Sequence, residues 1–281
     1  AFFRASMTVK EEDALEIDRI READDPYLES ALNSIYDDTN NLLRGAEVVP
    51  ERMRMQLLST VNGHPMIGIS SDGVNYAYDY DPSGEYASKH YMKITTSTDQ
   101  WSDSTNSKPI SDLIRARKAL TKLGKNPVYA LMNSTTFNYL IDNAQVKNAV
   151  LAQNLTANII MDDETVMAVI EKKTKLQIVI YDKMYIDDDG NEVNFYPDNK
   201  VTLLPGGSLG NTWFGTTPEM RTARQMADVD VSVYGAGITI AVKTDYGPPA
   251  LTSTTASEIV LPSYENMDST YVLEVADSNP S

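Results

Sequence analysis

The sequence has no cysteine and only two histidines, His64 and His90, among its 281 residues. The absence of cysteine excludes disulfide bonds, a cysteine nucleophile and zinc sites with cysteine ligands, and it is typical of proteins made inside cells. Apolar runs are also short, and examples such as 176–181 and 238–242 fall well below the ~20 residues that a membrane-spanning helix requires. We therefore expect no membrane span.

Positive charge is scarce as well. The chain carries 24 Lys and Arg against 40 Asp and Glu, which gives a formal net charge of −16. Proteins bind nucleic acid largely by neutralising phosphates with cations, so this balance argues against a sequence-specific nucleic-acid reader. The composition is otherwise that of an ordinary globular protein, and the length suffices for one large or two ordinary domains.

The N-terminal part predicts helices and one hairpin. Apolar spacing favours a helix at 26–43 that closes at Gly45, and a second helical piece that begins at Pro50. The two pieces are equally consistent with one long helix at about 26–62, broken near Pro50. Alternating residues on both sides of an Asp-Gly pair predict a hairpin at 66–80.

The central block predicts mixed helix and strand without a regular βαβ rhythm. Residues 81–108 are polar, and we expect them to be irregular and to contain a crossing between domains. After them the pattern predicts helices at 109–123, after Asn133 and at 163–173, and strands at 128–132, 176–181, 184–187 and 193–196.

The stretch 193–219 combines a turn, a short strand and a glycine-rich loop. The strand at 201–204 stops at Pro205, and the loop that follows carries Gly206, Gly207 and Gly210. We place the large aromatic residues Trp213 and Phe214 in this loop rather than in a regular element. Large aromatic residues in a loop more often serve packing or a partner surface than chemistry. The three glycines and the two aromatic residues are therefore candidates for loop packing or an interface.

Alternation returns near the C-terminus. It predicts paired strands at 229–233 and 238–242 around a glycine turn, and a last strand at 271–275. We expect the Ser/Thr-rich residues that precede Glu258 to form a loop.

Several motifs suggest chemistry, but each lacks a required part. Asp187–Glu192 begins like a calcium loop and has no glutamate at the twelfth position, so a hairpin turn is favoured. The Gly206–Gly210 loop lacks the Lys-Ser/Thr of a phosphate-binding loop. His64 and His90 share no motif, and we expect both at the surface. We predict no catalytic residue, no metal site and no cofactor.

Basic residues cluster on the helix predicted at 109–123. Arg115, Arg117 and Lys118 follow one another closely in an otherwise acidic chain. A solvated helix face is one interpretation, and a contact between subunits is the other.

Two segments of the chain are distinctive in combination: Phe195-Tyr-Pro-Asp-Asn-Lys-Val-Thr-Leu-Leu-Pro and Leu209-Gly-Asn-Thr-Trp-Phe-Gly-Thr-Thr-Pro-Glu. Together they resemble the major capsid proteins of tailed phages in the lambda-type capsid protein E family. Four further segments resemble the family in the same order: Phe2-Phe-Arg with Lys10-Glu-Glu-Asp, Trp101-Ser-Asp with Lys108-Pro-Ile-Ser-Asp-Leu, Tyr181-Asp-Lys-Met-Tyr-Ile-Asp-Asp-Asp-Gly, and Pro262-Ser-Tyr-Glu-Asn.

The resemblance implies an α+β fold, that of the tailed-phage major capsid protein. Its peripheral domain, with a long spine helix (about 26–62) and long strands, would comprise 1–107 and 236–281, and its axial domain of mixed α/β would comprise 108–235. It also implies a structural head protein that assembles into hexamers and pentamers of an icosahedral shell enclosing the genome. The implied partners are further copies of the chain, with scaffold, portal and decoration proteins, and the implied locations are the virion and, during assembly, the bacterial host cytoplasm.

One departure from the family concerns the N-terminus. Family members carry an N-terminal arm and an extended loop before the segment that matches Phe2-Phe-Arg, and both are largely missing here. We therefore expect a truncated, processed or partial chain that assembles poorly or stays monomeric.

Two alternatives stay open at this stage. An acidic carbohydrate-active enzyme or binding module would use paired carboxylates and exposed tyrosines. A cellular nanocompartment shell would share the fold and differ in its cargo.

Overall fold

The computed structural model describes residues 1–10, 38–71, 74–152, 162–187, 190–222, 229–235, 237–245 and 251–277. Its helices are α1 (Asp38–Leu58), α2 (Glu85–His90), α3 (Pro109–Lys122), α4 (Ser134–Asp142), α5 (Ala144–Leu151), α6 (Asp163–Thr174) and α7 (Pro218–Thr222). Its strands are β1 (Phe2–Lys10), β2 (Met66–Ser71), β3 (Val74–Asp79), β4 (Tyr91–Lys93), β5 (Pro127–Met132), β6 (Gln177–Ile180), β7 (Met184–Ile186), β8 (Glu192–Asn194), β9 (Lys200–Pro205), β10 (Thr212–Gly215), β11 (Val229–Tyr234), β12 (Ile238–Asp245), β13 (Leu251–Pro262) and β14 (Tyr271–Glu274).

The chain forms two compact units. Unit 1 comprises residues 1–53, 69–76 and 212–262, and unit 2 comprises 54–68, 77–211 and 263–281. This division differs from the predicted domain boundaries, because 77–107 and 263–281 fall in unit 2 and 212–235 in unit 1. The assignment of peripheral and axial roles stays a prediction.

Unit 1 is built on an antiparallel sheet in the order β1-β13-β12-β11, and β10 extends it by pairing with the end of β13. The long central strand β13 includes the Ser/Thr-rich residues that the sequence analysis placed in a loop, and that prediction was wrong. Threonine is β-branched and fits a pleated surface well. β13 lies between β1 and β12, whose backbones supply its hydrogen-bonding partners on both sides.

The core of unit 1 lies between this sheet and the first part of α1. Leu42 and Ala46 of α1 pack on Ile238, Ile240 and Ala256 of the sheet. The same cluster receives partly buried side chains from β1, α1 and β12: Phe3, Ala5, Leu43 and Val242. The apolar contacts therefore join the N-terminal strand and helix to strands near the C-terminus.

Helix α1 passes without interruption through Gly45 and Pro50, so the predicted break near Pro50 was wrong. A proline inside a helix removes one backbone hydrogen bond and costs roughly 3 kcal/mol. A stripe of buried side chains continues past the proline and consists of Leu42, Ala46, Val49, Met53 and Leu57. Each large side chain in such a stripe contributes about 1.5–3 kcal/mol, which together outweighs the cost of the proline. Residues 26–37 of the predicted helix lie outside the described residues.

Unit 2 contains a mixed sheet in the order β4-β14-β9-β5-β6. Strands β5 and β6 are parallel, as are β4 and β14, and β9 is antiparallel to both of its neighbours. The core includes Trp101 and the buried faces of α3, α4 and α6, which contribute Leu113, Leu120, Phe137, Leu140, Val166 and Ile170. The predicted helices of this block are confirmed, including the cap of α4, where Asn133 Oδ1 accepts from Thr136 N at 2.9 Å. Its predicted strands are confirmed except the one at 193–196, since β8 ends at Asn194.

Residues 81–108 are more regular than predicted, since they contain α2 and β4. The Asp81 carboxylate accepts hydrogen bonds from the amides of Glu85, Tyr86 and Ala87 and so begins α2. Burial acts to raise the pKa of Asp81, but these bonds and one from Ser83 outweigh it, so the pKa is lowered. A short polar helix started by one carboxylate has no apolar periodicity that a sequence pattern could reveal.

His90 at the end of α2 is buried, so its predicted surface position was wrong. Its ring stacks on Tyr86 with centroids 5.0 Å apart, and Nδ1 lies 3.0 Å from the carbonyl oxygen of Thr270. Burial lowers the pKa of His90. His64 is half-buried, with Nδ1 3.1 Å from the carbonyl oxygen of Asp81.

Candidate functional site

The glycine-rich loop that follows β9 is fixed by the chain that follows β13. Ser263 N donates to the carbonyl of Asn211 at 2.7 Å, and Asn211 N donates to Ser263 Oγ at 2.8 Å. Asn266 adds two bonds, from its backbone N to Leu209 O at 3.0 Å and from Nδ2 to Ser208 O at 2.9 Å. The glycine-rich segment and the segment with Ser263 and Asn266, which the sequence analysis quoted separately, are thus hydrogen-bonded to each other in unit 2.

The three glycines of this loop are not equivalent. A Cβ on Gly210 would lie 2.3 Å from the Ser263 carbonyl oxygen, so this close approach requires glycine. A Cβ on Gly207 would meet nothing within 4 Å, and one on Gly206 would touch only Val128 at an ordinary 3.5 Å. The side chain of Ser208 bonds the loop's own backbone at Gly210, as in a structural loop rather than a phosphate cradle.

Trp213 and Phe214 lie on strand β10 of unit 1, so their predicted loop position was wrong. They pair with Leu261 and Val260 of β13. Phe214 is partly buried beside Gly237, where a Cβ would come within 2.8 Å of the Phe214 Cβ. The Trp213 side chain is 64% exposed. The glycines belong to unit 2 and the aromatic residues to unit 1, so the five candidates do not form one cluster within a unit.

The Trp101 segment has a role in the core. Trp101 is fully buried and donates from Nε1 to Asp112 Oδ2 at 3.2 Å, while Arg115 pairs with Asp112 Oδ1 at 3.0 Å. Burial raises the pKa of Asp112 despite these two bonds. Trp101 and Asp112, which lie in the two segments quoted together for the family resemblance, are therefore directly joined.

The C-terminal end of α1 is held by β9, a contact that no sequence pattern indicates. Lys200 Nζ donates to the carbonyl oxygens of Ser59 and Thr60, both at 2.6 Å, and Thr202 Oγ1 donates to Leu58 O at 2.6 Å. A cation at a helix C-terminus satisfies free carbonyls and favours the helix dipole. Burial lowers the pKa of Lys200, with Glu274 acting in the opposite direction.

Comparison with known proteins assigns this architecture to a family. Residues 2–236 match the profile of the family described as phage major capsid protein E. The chain belongs to the phage major capsid protein E family.

Solved structures agree with the fold. The capsid protein assigned to a prophage of Escherichia coli CFT073 superposes with a TM-score of 0.63 at 14% identity, covering 98% of this chain and 77% of that one. A phage-related protein from Bordetella bronchiseptica RB50 gives a TM-score of 0.51 at 11% identity, covering 98% of this chain and 75% of that one. A search of curated protein sequences finds no match.

This member of the capsid family is a structural protein of the phage virion, and the prediction that it is not an enzyme is confirmed. The predicted capsid fold is confirmed as well, and the carbohydrate-active alternative has no support. Within the described parts of the capsid protein, no three His, Asp or Glu side chains are grouped to hold a metal ion. No helix among the described residues is long and apolar enough to cross a membrane.

The Asp-rich turn of the capsid protein behaves as a hairpin turn. Strands β7 and β8 pair around it, and Asp187 Oδ1 accepts from Asn191 N at 2.8 Å. Gly190 takes φ +85°, which glycine adopts without strain. Residues 188 and 189 lie outside the described residues.

Proposed function

We propose that this capsid protein assembles through hexamers and pentamers into an icosahedral shell that encloses the phage genome. Self-assembly into shells is the property that the capsid family supports, and the fivefold and sixfold rings are our extension of it. In this proposal unit 1 is the peripheral domain, with α1 as the spine helix, and unit 2 is the axial domain. Assembly takes place in the bacterial cytoplasm, with scaffold, portal and decoration proteins as further partners.

The observation that supports an assembly surface on unit 1 is the exposure of Trp213. A tryptophan that is 64% exposed leaves a large apolar side chain in water, and tryptophan is enriched at the energetic centres of protein interfaces. Its neighbour Phe214 on the same strand completes the proposed contact on unit 1, and the clamped loop at Gly206, Gly207 and Gly210 is a separate proposed contact on unit 2. Because the Trp213 side chain packs little within its own chain, its truncation should affect association more than folding.

Negative-stain electron microscopy and mass photometry of the purified protein test the proposal. The missing N-terminal arm predicts poor assembly or a monomer, and the assembly proposal predicts the opposite: rings of five and six or closed particles from the unmodified chain. For Trp213→Ala it predicts that the protein concentration at which particles appear rises by at least about tenfold. Tyr234→Ala, which removes a less exposed aromatic side chain from the same sheet, is the matched control. A protein that stays monomeric at every concentration would overturn the assembly proposal, and normal particles from Trp213→Ala would remove that residue from the interface.

The net negative charge also affects how the subunit interacts with the packaged DNA. A subunit with net charge −16 should not hold packaged DNA through its overall field. We propose no sequence-specific nucleic-acid binding, and tight binding of a duplex at moderate salt would contradict this.

A further inference from the structure

Helices α2 and α3 of unit 2 border an open cleft with a basic rim. The cleft has a volume of ≈ 670 Å³, and four of its lining residues are cations: Lys89, Arg115, Lys118 and Lys122. Lys89 pairs with Glu85 at 2.5 Å and Arg115 with Asp112. Among the described residues no carboxylate pairs with Lys118 or Lys122, which are both exposed. Two unneutralised cations therefore stand together in a strongly acidic chain.

The remainder of the cleft is largely apolar. It is lined by Ile114, Ala119 and Leu123, and the Leu123 side chain is 45% exposed. A cleft with apolar walls and a cationic rim fits an extended segment that carries apolar side chains beside carboxylates.

A segment with those properties stands on the same unit. The β7–β8 hairpin places Met184 and Ile186 on one face, where they are 51% and 70% exposed. Glu192 is the cross-strand partner of Ile186, so its exposed carboxylate lies on that face too. The opposite face of the hairpin packs within its own chain, since Tyr185 contacts Phe195 with ring centroids 4.8 Å apart.

The hairpin and the cleft lie at opposite ends of β5. Leu123 of the cleft comes shortly before Pro127, the first residue of that strand. The hairpin is held at the other end, where Ser134 N, just after the strand, donates to Asp182 Oδ1 at 2.7 Å. A strand of six residues spans roughly 20 Å, so the hairpin of one chain does not fill the cleft of the same chain.

We propose that the β7–β8 hairpin of one copy docks into the α2–α3 cleft of the next copy. Glu192 then faces Lys118 and Lys122, and Met184 and Ile186 cover the apolar wall. Copies with net charge −16 repel one another, and a contact that sets cations against carboxylates offsets that repulsion locally. A contact between two different surfaces of identical subunits generates a ring when the rotation from one copy to the next closes. This inference rests on the proposed assembly function and names its contact.

A charge exchange between two variants tests the proposal. Lys118→Glu with Lys122→Glu replaces the two unneutralised cations of the cleft with carboxylates. Ile186→Lys with Glu192→Lys places two cations on the exposed face of the hairpin. Each variant alone should raise the assembly threshold by at least about tenfold, because like charges then meet at the contact. An equimolar mixture should return the threshold for sixfold rings to within about threefold of the unmodified protein, since alternating variants place opposite charges at every contact. A fivefold ring cannot alternate two variants and keeps one mismatched contact.

The matched control is Lys172→Glu with Lys173→Glu, which reverses two exposed lysines on α6 away from the cleft. It should assemble like the unmodified protein. Circular dichroism and thermal unfolding check that every variant is folded. Carbodiimide cross-linking of mixed ¹⁴N- and ¹⁵N-labelled chains should join Lys118 or Lys122 of one isotope to Glu192 of the other.

The outcomes separate this contact from the broader function. Particles that form normally from either variant, or cross-links confined to single chains, would overturn the contact and leave the assembly function standing. No particles from the unmodified protein would overturn both. Loss of duplex DNA binding in the cleft variant, with unchanged assembly, would assign the cleft to nucleic acid and also overturn the contact.

Discussion

Glu258 on β13 is a carboxylic acid in an apolar setting, and its replacement by glutamine should change how stability depends on pH. Its side chain is fully buried, and among the described residues neither carboxyl oxygen has a hydrogen-bond partner. It is the cross-strand partner of Phe3 and lies two residues from both Ala256 and Val260, which are buried on the same face. Burial raises the pKa of Glu258 to about 8, with the Ala1 ammonium acting in the opposite direction.

The sign of the effect follows from proton binding. Between pH 4.5 and about 8 the folded protein keeps this proton and the unfolded chain does not, so stability falls as pH rises through that window. Each pH unit in this window changes the free energy of unfolding by at most about 1.4 kcal/mol. The total change over the shift of the pKa from 4.5 to about 8 is therefore at most roughly 5 kcal/mol. Glu258→Gln removes the proton exchange and should remove this slope. Between pH 5 and pH 8 we expect the unfolding free energy of the unmodified protein to fall by at least about 2 kcal/mol relative to that of Glu258→Gln.

Urea unfolding, followed by far-ultraviolet circular dichroism at intervals from pH 5 to pH 9, measures the difference. Asp230→Asn is the control, because Asp230 is an exposed acid on the same sheet and its replacement should leave the slope unchanged. If the unmodified protein and Glu258→Gln lose stability in parallel over this range, the carboxyl group is ionised in the folded protein and the reasoning fails.

Three further predictions concern contacts within unit 2. Gly210→Ala should destabilise the protein by about 1–3 kcal/mol because its Cβ meets a backbone oxygen, whereas Gly207→Ala should change thermal stability by less than about 0.5 kcal/mol. Lys200→Met should leave two helix-end carbonyls without a donor and cost about 1–3 kcal/mol, and hydrogen exchange should speed up at 55–60 but not in α6. Asp81→Ala should cost about 0.5–2 kcal/mol through loss of the α2 cap. Because the pKa of Asp81 is lowered, its contribution is present above its ordinary value of 3.8 and is lost as pH falls through the lower folded-state pKa. A difference in unfolding free energy between the unmodified protein and Asp81→Ala that does not shrink as pH falls below 3.8 would contradict this.

Local signals predicted the elements whose ends are marked in the sequence. Pro109 and Gly124 bound α3 as expected, and alternation predicted the β11–β12 pair. These local signals failed where segments distant in the sequence determine the secondary structure or the burial of a residue. β13 is a strand because β1 and β12 flank it, and His90 is buried against Thr270, 180 residues away.

The candidate site shows the same limit. Trp213 and Gly210 are near neighbours in sequence, which suggested one cluster, yet they belong to different units. The exposed Ile186 gave no sequence signal, because an isoleucine in an alternating strand is as consistent with a core position. The basic residues of α3 were visible, but only the structure shows the cleft beside them.

The bonds between Asn211 and Ser263 have a consequence for engineering. The chain leaves unit 2 after Asn211, contributes residues 212–262 to unit 1, and returns at Ser263. The two ends of that excursion lie side by side, so its removal needs no long linker. A short turn joining Asn211 directly to Ser263 should therefore span the gap without strain, and a chain that begins at Arg54 and carries this turn should keep unit 2 together with residues 69–76 of unit 1.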